Sequence, residues 1–281
     1  MNDLDPARAF LTVTGAEAAS FLQAIITQDI HTAREDALIF SALLSPQGKW
    51  MFDFFILKTA AGYQIECLAN ARDALLKKLA LYKLRAKVEI TPLDGWRVGY
   101  ANHESLATCH LPPATSFRDP RHPALPQRVW LMPNALEPDD LLPLNEVNEQ
   151  RLTLGIPEGG VDATPDETLL DLGYDLLHAV SYTKGCYVGQ EVTARMHYKQ
   201  IARKGFYHVQ GTETLSAHAR KIETNDETIG DMRSRQGHQG LMFGRFDVIE
   251  NAPNPQLDGK GVTLTVPDWL RPRLALFLAN R

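Results

Sequence analysis

Apolar positions along the chain alternate between two periods. Residues 9–13 read as a short strand. Thr14 with Glu17 three positions later predicts a capping box, opening a helix whose apolar face carries Phe21, Leu22, Ile25 and Ile26. Thr27-Gln28-Asp29 ends that helix with polar residues. Residues 38–44 and 49–58 predict two strands joined by Ser45-Pro46-Gln47-Gly48, a proline–glycine turn, and residues 62–68 add a third strand to the meander. Asn70 is placed to cap a helix on which Leu75, Leu79 and Tyr82 recur at helical spacing. Residues 87–91 and 96–101 are extended again. One βαβ-like pattern inside a largely antiparallel sheet predicts an α+β fold.

Residues 103–126 carry five prolines and little periodicity, which predicts an exposed loop. A strand follows at 128–132 and a helix at 144–154, broken by Gly155-Ile156-Pro157-Glu158-Gly159-Gly160. Beyond Lys204 the character changes. Short strands at 205–210, 228–234, 240–246 and 262–266 are spaced as in a small barrel or sandwich, so a domain boundary is expected near residue 202.

The densest polar stretch is Tyr182-Thr183-Lys184-Gly185-Cys186-Tyr187-Val188-Gly189-Gln190-Glu191, set between two apolar periodic segments. Its two glycines predict a tight turn around Cys186, because glycine visits positive φ at little cost. Residues 190–198 read as a helix with Val192 and Met196 on one face and Glu191 in the first turn, where the helix dipole favours a carboxylate. A cysteine just before a helix start and two residues from a lysine is favoured as a thiolate, which predicts a functional thiol rather than an inert buried one.

Composition narrows the classes. The chain has 281 residues, 44% hydrophobic and 22% charged, with net charge −5, which argues against general nucleic-acid coating. Cys67, Cys109 and Cys186 form no CxxC pair, so neither a disulfide framework nor a complete zinc site is expected, and a reducing compartment fits. An acidic N-terminus without a targeting pattern, and no apolar run of membrane length, predict a bacterial-type cytoplasmic protein without membrane partners.

Other polar residues keep two readings. Asp53, in an apolar strand, faces either solvent or a ligand channel. Asp171 and Asp175, four apart, would share one face of a helix, with Asp175 read as solvated. Arg195, His197, Lys199, Arg203 and Lys204 form a basic cluster directly after the motif, suited to an anionic tail or a phosphate-bearing partner, or else simply solvated. A protease-like Cys186–His197 pair is disfavoured, since the two lie eleven positions apart across a helix and no orienting third group is evident. One cysteine cannot hold an iron–sulfur cluster that takes about four thiolates, so no resident metal is expected; any further ligands would come from a partner or a small thiol.

Lys184 to Glu191 closely resembles the signature of YgfZ-type proteins, folate-binding relatives of GcvT, the aminomethyltransferase of the glycine cleavage system. Supporting stretches are Ser41-Ala42-Leu43-Leu44-Ser45-Pro46-Gln47-Gly48-Lys49, Tyr82-Lys83-Leu84-Arg85, Leu154-Gly155-Ile156-Pro157-Glu158-Gly159 and Ile229-Gly230-Asp231 with the run to Arg245. The resemblance implies a three-domain cloverleaf, with two interleaved α+β domains over residues 1–202 and a C-terminal β-barrel over 203–281, around a channel for tetrahydrofolate. It implies Cys186 and Lys184 as the reactive residues. Asp53, Asp171, Gly185, Tyr187, Gly189, Gln190, Glu191 and Arg195 are the folate-side candidates.

The implied role is an accessory factor for assembly or repair of [4Fe–4S] clusters, with cluster enzymes or carriers as partners, affecting tRNA methylthiolation indirectly. The alternative is a folate-dependent one-carbon transferase. Three departures from the aminomethyltransferase pattern oppose it: Phe52-Asp53 replaces an acidic pair, Thr153 replaces a pterin-reading carboxylate, and Asp171 stands for a longer acid.

Overall fold

The computed structural model describes residues 4–102, 116–135, 137–225 and 227–280. Two compact units are assembled from alternating segments: Met1–Val147 with Leu177–Gln190, and Asn148–Leu176 with Glu191–Arg281.

In the first unit the strands β1 (Arg8–Thr14), β2 (Ile39–Leu44), β3 (Trp50–Thr59), β4 (Gly62–Leu68) and β5 (Glu89–Pro92) form one sheet in the order β2-β3-β4-β1-β5, with every pairing antiparallel. Helix α1 (Ala18–Ile25) follows β1, and α2 (Arg72–Lys83) connects β4 to β5. Since β4 and β5 both run antiparallel to β1, which lies between them, they are parallel to each other. The βαβ-like pattern is therefore a split crossover with β1 inserted.

Strand alternation sorts the side chains onto two faces. One face carries Leu11, Val13, Leu43, Phe54, Ile56 and Ile65, packed with Phe21, Leu22 and Ile25 of α1 and Leu75 and Leu79 of α2. Removing such an aliphatic side chain from water contributes about 1.5–3 kcal/mol, which is what fixes the amphipathic helices on the sheet.

The other face meets a smaller sheet, ordered β6-β8-β7, made of β6 (Arg97–Ala101), β7 (Ser116–Phe117) and β8 (Gln127–Leu131). Between the sheets lies a buried ion network. Arg8 Nε donates to Glu66 Oε1 at 2.6 Å, Arg128 donates to both Glu66 oxygens, and Arg128 Nη1 reaches Asp119 at 3.0 Å. Arg121 closes a bidentate pair with Asp119. Burial alone would raise the Glu66 carboxyl, but the guanidinium groups of Arg128 and Arg8 hold it below its ordinary value.

Both expected helix caps differ. Thr14 is the last residue of β1, and Gly15 turns at φ 107°, where a Cβ would run into Lys87 O. Glu17 stands at the N-cap of α1 without a side-chain cap bond; its carboxylate instead accepts the Lys87 N–H at 2.5 Å. Asn70 lies within a 3-10 turn, Ala69–Ala71, so the α2 N-cap is Ala71. At Glu17 a tertiary partner, the Lys87 N–H, takes the place of the local cap, and at Asn70 the 3-10 turn does.

The second unit contains the end of α3 (Leu144–Thr153), most of α4 (Gln190–Lys199) and a closed barrel, in the order β10-β11-β12-β9-β14-β13. Its strands are β9 (Lys204–Gly211), β10 (Lys221–Thr224), β11 (Glu227–Gln236), β12 (Gln239–Arg245), β13 (Gln256–Leu257) and β14 (Lys260–Thr265). Closure removes exposed edges, and Tyr207, Val209, Met232, Met242 and Leu257 belong to the core of this region. A short helix α5 (Phe246–Ile249) leads out of β12, and α6 (Arg271–Ala279) ends the described chain, with Phe246, Ile249 and Leu274 in the same core. No helix is long and apolar enough to cross a membrane among the described residues.

Candidate functional site

The segment containing Lys184 and Cys186 is pinned to the end of α1. Ile26 leaves the helix in extended conformation, so the carbonyls beyond α1 are not used by the helix. Thr27 Oγ1 donates to Ala179 O at 2.7 Å and accepts the Ala42 N–H at 2.9 Å, while Ser181 N donates to Thr27 O at 3.0 Å. Gln28 Nε2 reaches His178 O at 2.6 Å. Lys184 completes the clamp: its Nζ donates to Ile26 O at 2.7 Å and Gln28 O at 3.0 Å, and lies 5.0 Å from the centre of the Tyr187 ring.

Lys184 is 7% exposed and Tyr187 equally buried. Burial pulls the Lys184 amine down to about 8, and Asp29 only partly offsets it. Gly185 and Cys186 between them are exposed, and Cys186 is a free thiol. The lysine thus turns inward onto main-chain carbonyls while the cysteine turns outward. Expected as an electrostatic neighbour of the thiol, Lys184 has its ammonium committed to holding the loop.

The two glycines differ as well. Gly189 has φ 81°, and a Cβ there would lie 2.6 Å from Ser45 O and 3.2 Å from Gly48 Cα, against the β2–β3 turn. Gly185 has no positive φ, and a Cβ there would meet nothing within 4 Å. The tight turn expected of both glycines belongs to Gly189 alone. Helix α4 then opens at Gln190, one turn beyond Cys186, with Gln190 N donating to Tyr187 O at 3.2 Å and with Glu191 and Arg195 exposed.

Asp53 is half-buried on β3, beside Phe52, which packs against the helix-side core. Cys67 is buried in that core, and burial pushes its thiol up to about 12, so it is an inert sulfhydryl. Cys109 lies outside the described residues.

In the second unit, residues 169–176 form successive turns rather than a helix, so Asp171 and Asp175 share no helical face. Asp171 Oδ2 accepts from Thr168 Oγ1 at 2.9 Å and Oδ1 from the Arg203 N–H at 3.3 Å, which joins it to the basic segment. Asp175, expected to be solvated, is buried against Arg273, with Nη2 to Oδ2 at 2.5 Å. Arg195, Lys199, Arg203 and Lys204 are exposed, and His197 is half-buried with its ring against Tyr198. Arg151 bonds Asp162 at 2.7 Å, the Ile156 carbonyl and Ser234, and Thr153 bonds Glu149 O and Gln239.

The clamp residues Thr27 and Gln28 were missed as functional positions. Their signal was the polar tripeptide closing an otherwise apolar helix, which reads equally well as a plain helix end. No group of three or more His, Cys, Asp or Glu side chains suited to a metal is found among the described residues.

Comparison with known proteins adds the following. Residues 203–272 match the family described as CAF17, C-terminal beta-barrel domain. The mitochondrial iron-sulfur cluster assembly factor IBA57 of Homo sapiens is 30% identical, over 93% of this chain and 83% of its own. The mitochondrial IBA57 homolog of Coccidioides immitis is 32% identical over 72% of this chain and 55% of its own. The crystal structure of glycine cleavage system aminomethyltransferase T from Bartonella henselae superposes with a TM-score of 0.69 at 16% identity, over 92% of this chain and 82% of that one, which establishes the fold. The cytoplasmic setting expected from the N-terminal residues is corrected by the curated relatives, whose names place them in the mitochondrion. With an aminomethyltransferase fold, a matching C-terminal barrel and a human relative alike along most of both sequences, the chain belongs to the IBA57 family of iron–sulfur cluster assembly factors.

Proposed function

We propose that the protein is a reduced-folate-binding accessory factor of the YgfZ type, supporting assembly or repair of [4Fe–4S] clusters in client enzymes and, through such clients, tRNA methylthiolation. The observation that carries this reading is the exposure of Cys186 on a loop whose neighbours Lys184 and Tyr187 are buried and whose backbone is bonded to the end of α1. A single soft ligand on a fixed loop can contribute to a shared, transient site. A cluster takes about four such ligands, so the rest come from a cluster enzyme, a cluster carrier or a small thiol.

What supports tetrahydrofolate as a ligand is the spare acceptor capacity of Asp171 and the exposed cations of the second unit. Each Asp171 oxygen accepts one hydrogen bond and has a further lone pair for a pterin N–H. The exposed Arg195, Lys199 and Arg203 suit a glutamate tail, and Asp53 remains half-exposed. Bound folate would supply a one-carbon carrier or a redox-sensitive pterin; this chain's residues would bind and orient it. Aminomethyl transfer is the poorer reading, because Phe52 packs into the core and Asp53 is left as the lone acid of its pair.

Calorimetry tests the folate reading. Tetrahydrofolate should bind, and its polyglutamate should bind more tightly, with a gain that shrinks as salt screens exposed charges over about 10 Å at 0.1 M. Absence of heat and of competition at every accessible concentration removes folate from the account. Equal affinity of both forms at low salt removes the basic cluster.

A further inference from the structure

The end of α4 and the face of α6 flank a cavity of about 320 Å³ within the second unit. Ligand chambers begin at about this size. Its wall is apolar: Leu170, Leu176, Met196, Ala202, Leu276 and Phe277. The floor is fixed, because Arg273 of α6 ties the turn below it through Leu170 O and the buried Asp175 carboxylate. That pairing sets the Asp175 carboxylate against the Arg273 guanidinium and joins α6 to the turn.

A second cavity of about 460 Å³ shares Gln200 and Phe277 with the first. Its character is different, for Lys199 and Arg203 line it. The carboxylate that also lines it, Asp247, is paired with Arg245 at 2.6 Å. No salt bridge to Lys199 or Arg203 is found among the described residues. An apolar chamber therefore opens beside two exposed cations that form no ion pair among the described residues.

We propose that this two-part cleft binds an apolar chain ending in a carboxylate, a medium-length fatty acid being the simplest such ligand. The chain enters between α4 and α6, and the carboxylate meets Lys199 and Arg203. The inference shares Lys199 and Arg203 with the folate reading but uses neither Asp171 nor the Cys186 loop, and the dependence on hydrocarbon length tests it apart from folate.

Calorimetry with hexanoate, octanoate, octan-1-ol and a tripeptide ending in leucine with a free carboxylate provides the test. Each buried methylene contributes about fourfold in affinity, so octanoate should bind about tenfold or more tightly than hexanoate. Octan-1-ol should bind at least tenfold more weakly than octanoate. Lys199→Ala/Arg203→Ala should abolish the advantage of octanoate over the alcohol. Leu276→Glu, at a 40% exposed position on α6, should abolish octanoate binding while leaving the melting temperature near that of the parent. If Leu276→Glu does not fold, the double alanine variant still decides. No octanoate binding, equal binding of hexanoate and octanoate, equal binding of acid and alcohol, or tighter binding of the tripeptide would each overturn the proposal.

Discussion

Lys184 and Gln28 hold one another's segments in place. The lysine ammonium donates to the Gln28 carbonyl at 3.0 Å, while the Gln28 side-chain amide donates to His178 O at 2.6 Å, six residues before the lysine. Residues 178 and 184 are thereby tied to the same short stretch beyond α1, and the exposed thiol of Cys186 follows directly.

Lys184→Met keeps the length of the stem and removes the ammonium from two carbonyls. Hydrogen bonds to a charged group are worth about 1.5–3 kcal/mol each, and partial hydration of the vacated carbonyls offsets some of this. The variant should lose about 2–3 kcal/mol in urea unfolding. Hydrogen exchange should show faster opening at Ser181 and Lys184, with the barrel unchanged. Unaltered protection of those two amides would show that the loop is held by Thr27 alone.

The buried amine also gives stability a pH dependence. Its folded value of about 8 is depressed below the ordinary lysine value of 10.5. Between those values the unfolded chain binds more protons at this position, so its contribution to stability rises with pH from about 8 upward. Below about 8 the lysine is charged in both states and the contribution is flat. Comparing unfolding of the parent and Lys184→Met across pH 7–10 isolates this group. The difference between them should change in the alkaline limb, and a constant difference would contradict the assignment.

Gly189→Ala should be markedly worse than Gly185→Ala. At Gly189 the new methyl meets Ser45 O at 2.6 Å with φ at 81°, whereas Gly185 has open space and no positive φ. Strain of this kind costs about 1–3 kcal/mol, and the β2–β3 turn must also shift. Thermal unfolding of the two variants should separate them clearly. Equal destabilisation would show that the loop is pinned differently.

The sequence made the strands of the first sheet legible because β1 to β4 have long apolar patterns bounded by turn residues. The barrel was half legible: β9, β11, β12 and β14 carry period-two patterns, whereas β10 and β13 span only Lys221–Thr224 and Gln256–Leu257. Strands this short reveal themselves through neighbours distant in sequence. Motif glycines and the lysine were visible, but their division of labour was not, because Gly189 is explained by Ser45 and Lys184 by Ile26 and Gln28. Asp175 was misjudged for the same reason: its partner Arg273 lies 98 residues away.

The proposed function turns on Cys186 acting as the functional thiol of its exposed loop. The most direct measurement is the activity of [4Fe–4S] enzymes in a deletion strain of the source organism under oxidative stress, complemented with the parent protein or with Cys186→Ser. The substitution preserves size at an exposed position, so the purified variant should fold and melt like the parent. The parent should restore the cluster enzymes, and Cys186→Ser should leave them several-fold below the restored level. Full restoration by Cys186→Ser at equal protein abundance would contradict it and leave the loop a structural role only.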